Sequence, residues 1–215
     1  MFRIFKKKPP VILPLLIMVW VVSEPQTVAA KPNDKTRWDS KYDTNKFIFG
    51  KRPIRFLVNN FHLLPKGRTL DIAMGEGRNG VYLATKGFDV IGVDISEKGL
   101  QKAHQLANEL NTKIETRVVD LENYHLEKNA YDLVICTYYL QRDLFPQMMD
   151  AVKPGGMVLV ETYNMDYLNY SQFNKNYLLK TNELLEVFKD FKIIRYQSFD
   201  NGKEAYSSII AQRPF

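Results

Sequence analysis

The sequence predicts an α/β fold in which a doubly wound, mostly parallel β-sheet carries helices on both faces. Three observations predict it. Short apolar segments alternate with amphipathic ones from residue 52 onward, which is typical of β-α-β units with right-handed crossovers. A glycine-rich turn follows the first predicted strand. Between the last two strands, the dipeptide Asn201-Gly202 predicts a C-terminal antiparallel hairpin.

The first folded elements are a helix, a strand and a second helix. A helix is predicted over Arg52–Leu63, because Pro53 suits a first helical turn and apolar residues recur every three or four positions. A strand over Thr69–Met74 follows. The next helix covers Arg78–Lys86, and Gly87 ends it.

Three more helices alternate with the remaining strands. Ser96 is predicted to cap a helix that runs to about Leu110. Another helix is expected over Phe145–Val152, where Lys153–Gly156 stops it, and Thr181 is expected to cap the last one. The other predicted strands are Phe88–Asp94, Ile114–Asp120, Tyr131–Thr137, Met157–Thr162, Ile193–Phe199 and Tyr206–Ala211.

The N-terminal residues 1–30 form a separate segment. Basic residues precede the apolar run Val11–Val22, and the small residues 28–30 follow a polar stretch. This order is typical of a secretory signal peptide. As a helix the run would reach about 18 Å, short of a membrane core, so an uncleaved membrane anchor is the alternative. We expect a linker over residues 31–37 and the folded domain over 38–215.

Charge and cysteine content exclude several classes of function. Of the net charge of +6, +5 lies in residues 1–37. The folded domain is therefore nearly neutral, which argues against nucleic-acid binding. The single cysteine, Cys136, excludes intrachain disulfides and a zinc site built from cysteines, and the three histidines lie far apart. We therefore expect no metal site.

The glycine-rich turn matches the pattern G-x-G-x-x-G between Gly75 and Gly80, where it follows a strand and opens a helix. Alone, this pattern leaves NAD(P), FAD and S-adenosylmethionine (SAM) open. Asp71 lies in the preceding strand and Glu76 within the turn. Their carboxylates would repel a pyrophosphate, whereas SAM carries an ammonium and a sulfonium. Asp71 is thus expected to help hold SAM, with helix capping as its alternative role.

Two further acids follow the next strands. Asp94 ends the second strand, where its carboxylate could accept both hydroxyls of a ribose. Asp120 ends the third strand and is placed to accept an adenine amino group, with Ile95 and Leu121 on either side of the ring. Because the carboxyl ends of parallel strands share one edge, we expect the three acids to converge on one crevice.

These motifs resemble the class I SAM-dependent methyltransferases, and among them the tellurite-resistance-type small-molecule enzymes. The resemblance covers about Trp38–Pro214. It rests on these segments: Leu70–Ala84 (LDIAMGEGRNGVYLA), Trp38–Tyr42 followed by Phe49-Gly50, Val90–Ser96, Val118–Tyr124, Tyr131–Gln147 and Lys153–Tyr163. It implies a seven-stranded Rossmann-like sheet whose last strand inserts antiparallel. It also implies SAM contacts from Gly75, Gly77, Asp94, Asp120 and the segment Cys136–Tyr138.

The expected function is methyl transfer from SAM to a small molecule by in-line displacement. The alternatives are a catalytically silent SAM-binding module and an NAD(P)-binding oxidoreductase. The aromatic stretch Tyr163–Tyr177 is predicted to be a lid or substrate-pocket loop. The N-terminal segment favours export or membrane association, with membrane contact through residues 1–30. A cytoplasmic location is the alternative, because SAM is made in the cytoplasm.

Overall fold

The computed structural model describes residues 34–215, so the expectations for residues 1–30 lie outside the described residues. Seven strands form one sheet: β1 (Arg68–Ile72), β2 (Asp89–Asp94), β3 (Glu115–Val118), β4 (Tyr131–Thr137), β5 (Val152–Tyr163), β6 (Lys192–Asp200) and β7 (Ala205–Gln212). Their spatial order is β3-β2-β1-β4-β5-β7-β6. The first five strands are parallel, and β7 inserts antiparallel between β5 and β6. The predicted sheet is confirmed.

Helices cover both faces of the sheet. They are α1 (Asp34–Tyr42), α2 (Arg55–Asn60), α3 (Arg78–Thr85), α4 (Glu97–Glu109), α5 (Leu144–Ala151) and α6 (Glu183–Val187). Apolar side chains of α2, α3 and α4 share one core with the sheet, and those of α5 and α6 share the other. The doubly wound α/β class is therefore confirmed.

Strand β4 lies near the centre of the sheet and explains why both faces are apolar. Leu133 and Ile135 pack on the side of α2–α4, whereas Val134 and Cys136 pack on the side of α5 and α6. Successive side chains of a strand point to opposite faces. A strand covered on both faces therefore has the continuous apolar sequence that predicted it.

Several boundaries differ from the prediction. The helix expected from Arg52 begins at Arg55, because Ile54 is extended and donates its N–H to Asn79 Oδ1 at 3.0 Å. Thr181 does not cap α6: that helix follows Asn182, whose φ is +59°. The two hairpin strands extend one residue beyond their predicted ends, because Asp200 pairs with Ala205, which leaves a four-residue loop that contains Asn201-Gly202.

Helix α1 begins inside the stretch that we assigned to a linker, so the linker prediction is wrong from Asp34 onward. Its ordering has a physical cause at its C-terminal end, where Tyr42 is 5% exposed. The Trp38 ring stacks on Tyr42 at 5.6 Å between centroids. The helix thus packs against the domain rather than preceding it.

Candidate cofactor site at the carboxyl edge of the sheet

The turn between β1 and α3 has a left-handed backbone at three positions. The φ angles are +53° at Ala73, +55° at Gly75 and +83° at Gly77. Glycine adopts these angles at little cost, whereas alanine rarely does. The N–H of Met74 donates to the Val93 carbonyl at 3.0 Å, which ties the turn to β2.

The glycines are required by packing within the protein. A Cβ atom at Gly77 would lie 2.6 Å from Cβ of Ala103 in α4. A Cβ atom at Gly75 would lie 2.6 Å from the Tyr42 hydroxyl. Space for a ligand is therefore not the only reason for glycine here, and Gly77 in particular permits the close approach of α3 to α4. Their contact with SAM stays a prediction.

Asp94 joins the end of β2 to the glycine turn. Its Oδ2 accepts the Gly75 N–H at 2.8 Å, and its Oδ1 accepts the Ser96 N–H at 2.8 Å. Burial raises the pKa of Asp94, while these two hydrogen bonds oppose the rise. Each carboxylate oxygen can accept more than one hydrogen bond. Asp94 is thus held rigidly and keeps acceptor capacity for a ligand.

Asp71 does not lie at the open edge of the sheet. It is 2% exposed and accepts the N–H of Gly80 in the first turn of α3. Burial raises the pKa of Asp71 to about 8. Its carboxyl group is therefore held inside the domain beside the helix terminus, which favours the alternative capping role, and its contact with SAM stays a prediction.

Glu76 also has a structural role. It is 3% exposed, accepts the N–H groups of Ile48 and Phe49 at 3.0 and 3.1 Å, and pairs with Lys102 Nζ at 2.9 Å. Because Lys102 compensates the Glu76 charge inside the protein, the argument that Glu76 repels a pyrophosphate is wrong.

The residues expected around an adenine ring lie beside Asp94. The Val119 N–H donates to the Asp94 carbonyl at 2.9 Å, which brings the end of β3 to this position. Asp120 is exposed, and its oxygens accept Glu122 N–H at 3.0 Å and Asn123 Nδ2 at 2.9 Å. Ile95 is half-buried, whereas Leu121 is buried in the core. Asp71 is buried whereas Asp120 is exposed, and the convergence of the three acids on one crevice stays a prediction.

Helix α1 lies over this edge, and our sequence reasoning assigned it no part in the site. Asp39 accepts Ser96 Oγ at 2.7 Å and the Lys98 N–H at 3.2 Å, at the N-terminus of α4. Partial burial opposes ionisation, but hydrogen bonds from Lys35, Ser96 and Lys98 lower the pKa of Asp39 to about 2. In the sequence, the Trp38–Tyr42 motif could have indicated that α1 packs at this edge, because its spacing puts these two rings on one side of a helix.

The segment Cys136–Tyr138, at the end of β4, contains the next predicted cofactor contacts. Cys136 is 3% exposed, and its thiol donates to the Tyr139 carbonyl at 3.6 Å. Burial raises the pKa of Cys136, so it stays a thiol that packs in the core, and its contact with SAM stays a prediction. Tyr138 has a φ of +55° and donates its N–H to the Glu161 carbonyl at 2.7 Å. A left-handed non-glycine residue at a strand end is frequent at functional sites.

A buried carboxylate that we did not predict lies beside Tyr138. Glu161 is 2% exposed; its Oε2 accepts Ser208 Oγ at 2.7 Å, and its Oε1 accepts the Tyr138 hydroxyl at 3.2 Å. Burial raises the pKa of Glu161. The Arg78 guanidinium lies 5.2 Å above the Tyr138 ring. In the sequence, an acidic residue within the apolar run of β5 was the observation that could have predicted this buried carboxylate.

The stretch after β5 is held by aromatic contacts and by one arginine. Tyr163 and Tyr167 stack at 4.1 Å, and Phe173 meets both rings edge-on. Arg142 donates to the carbonyls of Asn176 and Leu178 at 2.8 and 3.0 Å. The role of the stretch Tyr163–Tyr177 as a lid or substrate-pocket loop stays a prediction.

Residues 34–215 contain neither a candidate metal site nor a candidate membrane-spanning helix. No group of His, Cys, Asp or Glu side chains there could hold a metal ion. None of the helices in that range has the length and apolar character needed to cross a membrane.

Known proteins resemble the chain in sequence. The family model described as "Tellurite resistance protein TehB" matches residues 37–204. A Haemophilus influenzae protein named "Probable S-adenosyl-L-methionine-dependent methyltransferase TehB" is 26% identical over 148 residues, which is 65% of this chain and 51% of that protein. A Bordetella avium "Ubiquinone biosynthesis O-methyltransferase" is 35% identical over 103 residues, 45% of this chain and 43% of that one. The chain thus spans about half the length of these curated relatives.

Solved structures share the fold. The crystal structure of TehB from Haemophilus influenzae has a TM-score of 0.64 at 21% identity, covering 83% of this chain and 66% of that one. Magnesium protoporphyrin IX methyltransferase from Synechocystis, solved with bound SAM, has a TM-score of 0.61 at 19% identity. The match covers 86% of this chain and 99% of that one. The family match extends over most of the described residues and confirms the resemblance in the sequence motifs. The chain belongs to the family of the tellurite resistance protein TehB.

Proposed function

We propose that the protein is a SAM-dependent methyltransferase that acts on a small molecule. The observation that carries the proposal is the carboxyl edge of the sheet, where the glycine turn and the Asp94 carboxylate meet. Because Asp94 Oδ2 accepts the Gly75 N–H at 2.8 Å, a ligand bound at one of these groups lies beside the other. Open α/β sheets bind their ligands in such crevices.

The groups at this edge fit the chemistry of SAM. Asp94 keeps acceptor capacity for ribose hydroxyls, and Ile95 offers an apolar surface for an adenine ring. A cationic ligand is favoured by the nearby rings of Tyr42 and Tyr138, since aromatic faces attract cations. These features do not require Asp71 or Glu76, which are both buried.

Bound SAM supplies an activated methyl group on a sulfonium. The protein's own part is to position the reactants and exclude water. We propose that the acceptor lies over Tyr138 and Tyr163, at the carboxyl ends of β4 and β5. Glu161 orients Tyr138 through their 3.2 Å hydrogen bond. The methyltransferase names of the Haemophilus and Bordetella relatives support this reaction class.

Calorimetric titration with SAM and with NAD⁺ tests the cofactor. We expect SAM to bind and NAD⁺ not to bind; NAD⁺ binding without SAM binding would favour an oxidoreductase. Incubation with SAM and a panel of small-molecule acceptors then tests turnover, with S-adenosylhomocysteine measured by mass spectrometry. SAM binding without this product for any acceptor would favour a silent SAM-binding module.

We also propose that residues 1–30 bring the chain to the export machinery or the membrane. The support is the order of basic, apolar and small residues in the sequence. N-terminal sequencing of the protein from fractionated cells tests it. A mature start at Lys31 in an extracytoplasmic fraction supports cleavage. An intact Met1 in the soluble cytosol would contradict the proposal and favour the cytoplasmic alternative.

A further inference from the structure

A cavity of about 620 Å³ lies beside the stretch that follows β5. Its lining includes Arg142, Met165, Lys175, Leu178, Lys180 and Thr181. These residues come from the loops after β4 and β5, so the cavity lies on the same edge of the sheet as the glycine turn. Neither the glycine turn nor Asp94 contributes to it.

The cavity has an excess of positive charge. Lys175 and Lys180 are exposed, and neither forms a salt bridge with another residue in the range 34–215. Arg142 does have a partner, because its Nε donates to Glu183 Oε1 at 2.6 Å. Glu183 also lies beside Lys180, because its Oε2 accepts the Lys180 N–H at 2.7 Å. One acid thus faces three bases, which leaves an excess of positive charge to meet an anionic ligand.

The wall of the cavity has an apolar part and is held in place. Met165 is half-buried and provides apolar surface, whereas Leu178 lies behind the wall and is 1% exposed. The Arg142 guanidinium donates to the Leu178 carbonyl at 3.0 Å and to the Asn176 carbonyl at 2.8 Å. These bonds fix the segment that carries Lys175 before any ligand binds, and such preorganisation lowers the entropic cost of binding.

We propose that this cavity binds an organic anion, with an apolar chain against Met165 and a carboxylate between Lys175 and Lys180. The charge of the two lysines complements a carboxylate. A volume of about 620 Å³ is typical of small-molecule sites, which are apolar with a few placed polar groups. A small inorganic anion would leave the apolar wall without a contact.

Octanoate and octanamide form the test pair, since they share a chain and differ in charge. Calorimetry on the full chain without SAM measures both affinities. We expect octanoate to bind about tenfold more tightly than octanamide, which corresponds to one charge-assisted hydrogen bond. The double variant Lys175→Gln/Lys180→Gln should lose this preference, and Met165→Gln should weaken both ligands alike.

Lys113→Gln is the matched control, because Lys113 is exposed and precedes β3 at the opposite edge of the sheet. It should keep the preference for octanoate. Thermal melts verify that each variant is folded. Equal affinity of the wild type for the two ligands would overturn the proposal, as would an unchanged preference in the double variant. SAM titration of the same samples tests the proposed methyltransferase function independently of this result.

Discussion

Gly77→Ala should destabilise the fold, because Gly77 is where α3 approaches α4. The new Cβ would lie 2.6 Å from Ala103 Cβ, 3.0 Å from Ala103 Cα and 3.1 Å from Val81 Cγ2. Two of these atoms cannot rotate away, so the helices must shift, and overpacking of this kind costs about 1–3 kcal/mol. The left-handed φ of +83° adds about 1–2 kcal/mol for alanine. The expected loss of unfolding free energy is therefore about 2–5 kcal/mol.

Gly202→Ala separates the two contributions. Gly202 has a φ of +78°, and a Cβ there would have no neighbour within 4 Å. Gly202→Ala should therefore lose only the part of the unfolding free energy that comes from the left-handed φ, about 1–2 kcal/mol. Urea denaturation followed by circular dichroism measures both variants. If Gly77→Ala and Gly202→Ala lose the same stability, close packing is not the reason for glycine at position 77.

Three other predictions address charges and one loop. Lys102→Met leaves the Glu76 carboxylate buried without its ion pair and should lower the unfolding free energy, measured in urea, by about 3–5 kcal/mol. Lys128→Met breaks the exposed ion pair with Asp150 and should lower it by less than about 1 kcal/mol. Equal losses in the two variants would contradict this reasoning. The raised pKa of Asp71 means that the folded state holds an extra proton between pH 3.8 and about 8, so wild-type stability falls as the pH rises through this range. The stability of Asp71→Asn relative to the wild type should therefore grow over the same range, and a constant difference would refute this. Arg142→Gln should speed tryptic cleavage of the stretch after β5, because that stretch loses its hydrogen bonds to the guanidinium; an unchanged rate would show that other contacts hold it.

The sequence predicted the fold well where the pattern was continuous. Strand β4 was predicted with its observed bounds, because seven residues buried on both faces leave a clear apolar run. Ser96 was predicted as a cap, and its side chain accepts the Gly99 N–H. The cap at Thr181 failed, because a left-handed Asn182 starts α6 and no local pattern distinguishes the two.

The site was harder to predict, because burial decides what an acid does. Asp71 and Glu76 lie next to or within the glycine turn in sequence and Asp94 ends the next strand, yet of these three acids only Asp94 keeps a position at the edge. The partners of Glu76 are Lys102, Ile48 and Phe49, which are distant in sequence. Pairings of this kind depend on how α4 and the segment after α1 pack, and composition or periodicity does not contain that information.

The SAM affinity of Asp94→Asn tests the central claim most directly, because the asparagine keeps the shape but loses the charge. Asp89→Asn is the control, since Asp89 is exposed at the other end of the same strand. By calorimetry we predict that Asp94→Asn weakens SAM binding by about 2 kcal/mol, roughly thirtyfold, while Asp89→Asn matches the wild type. An unchanged dissociation constant for a folded Asp94→Asn, or an equal loss in Asp89→Asn, would contradict a SAM site at the carboxyl edge.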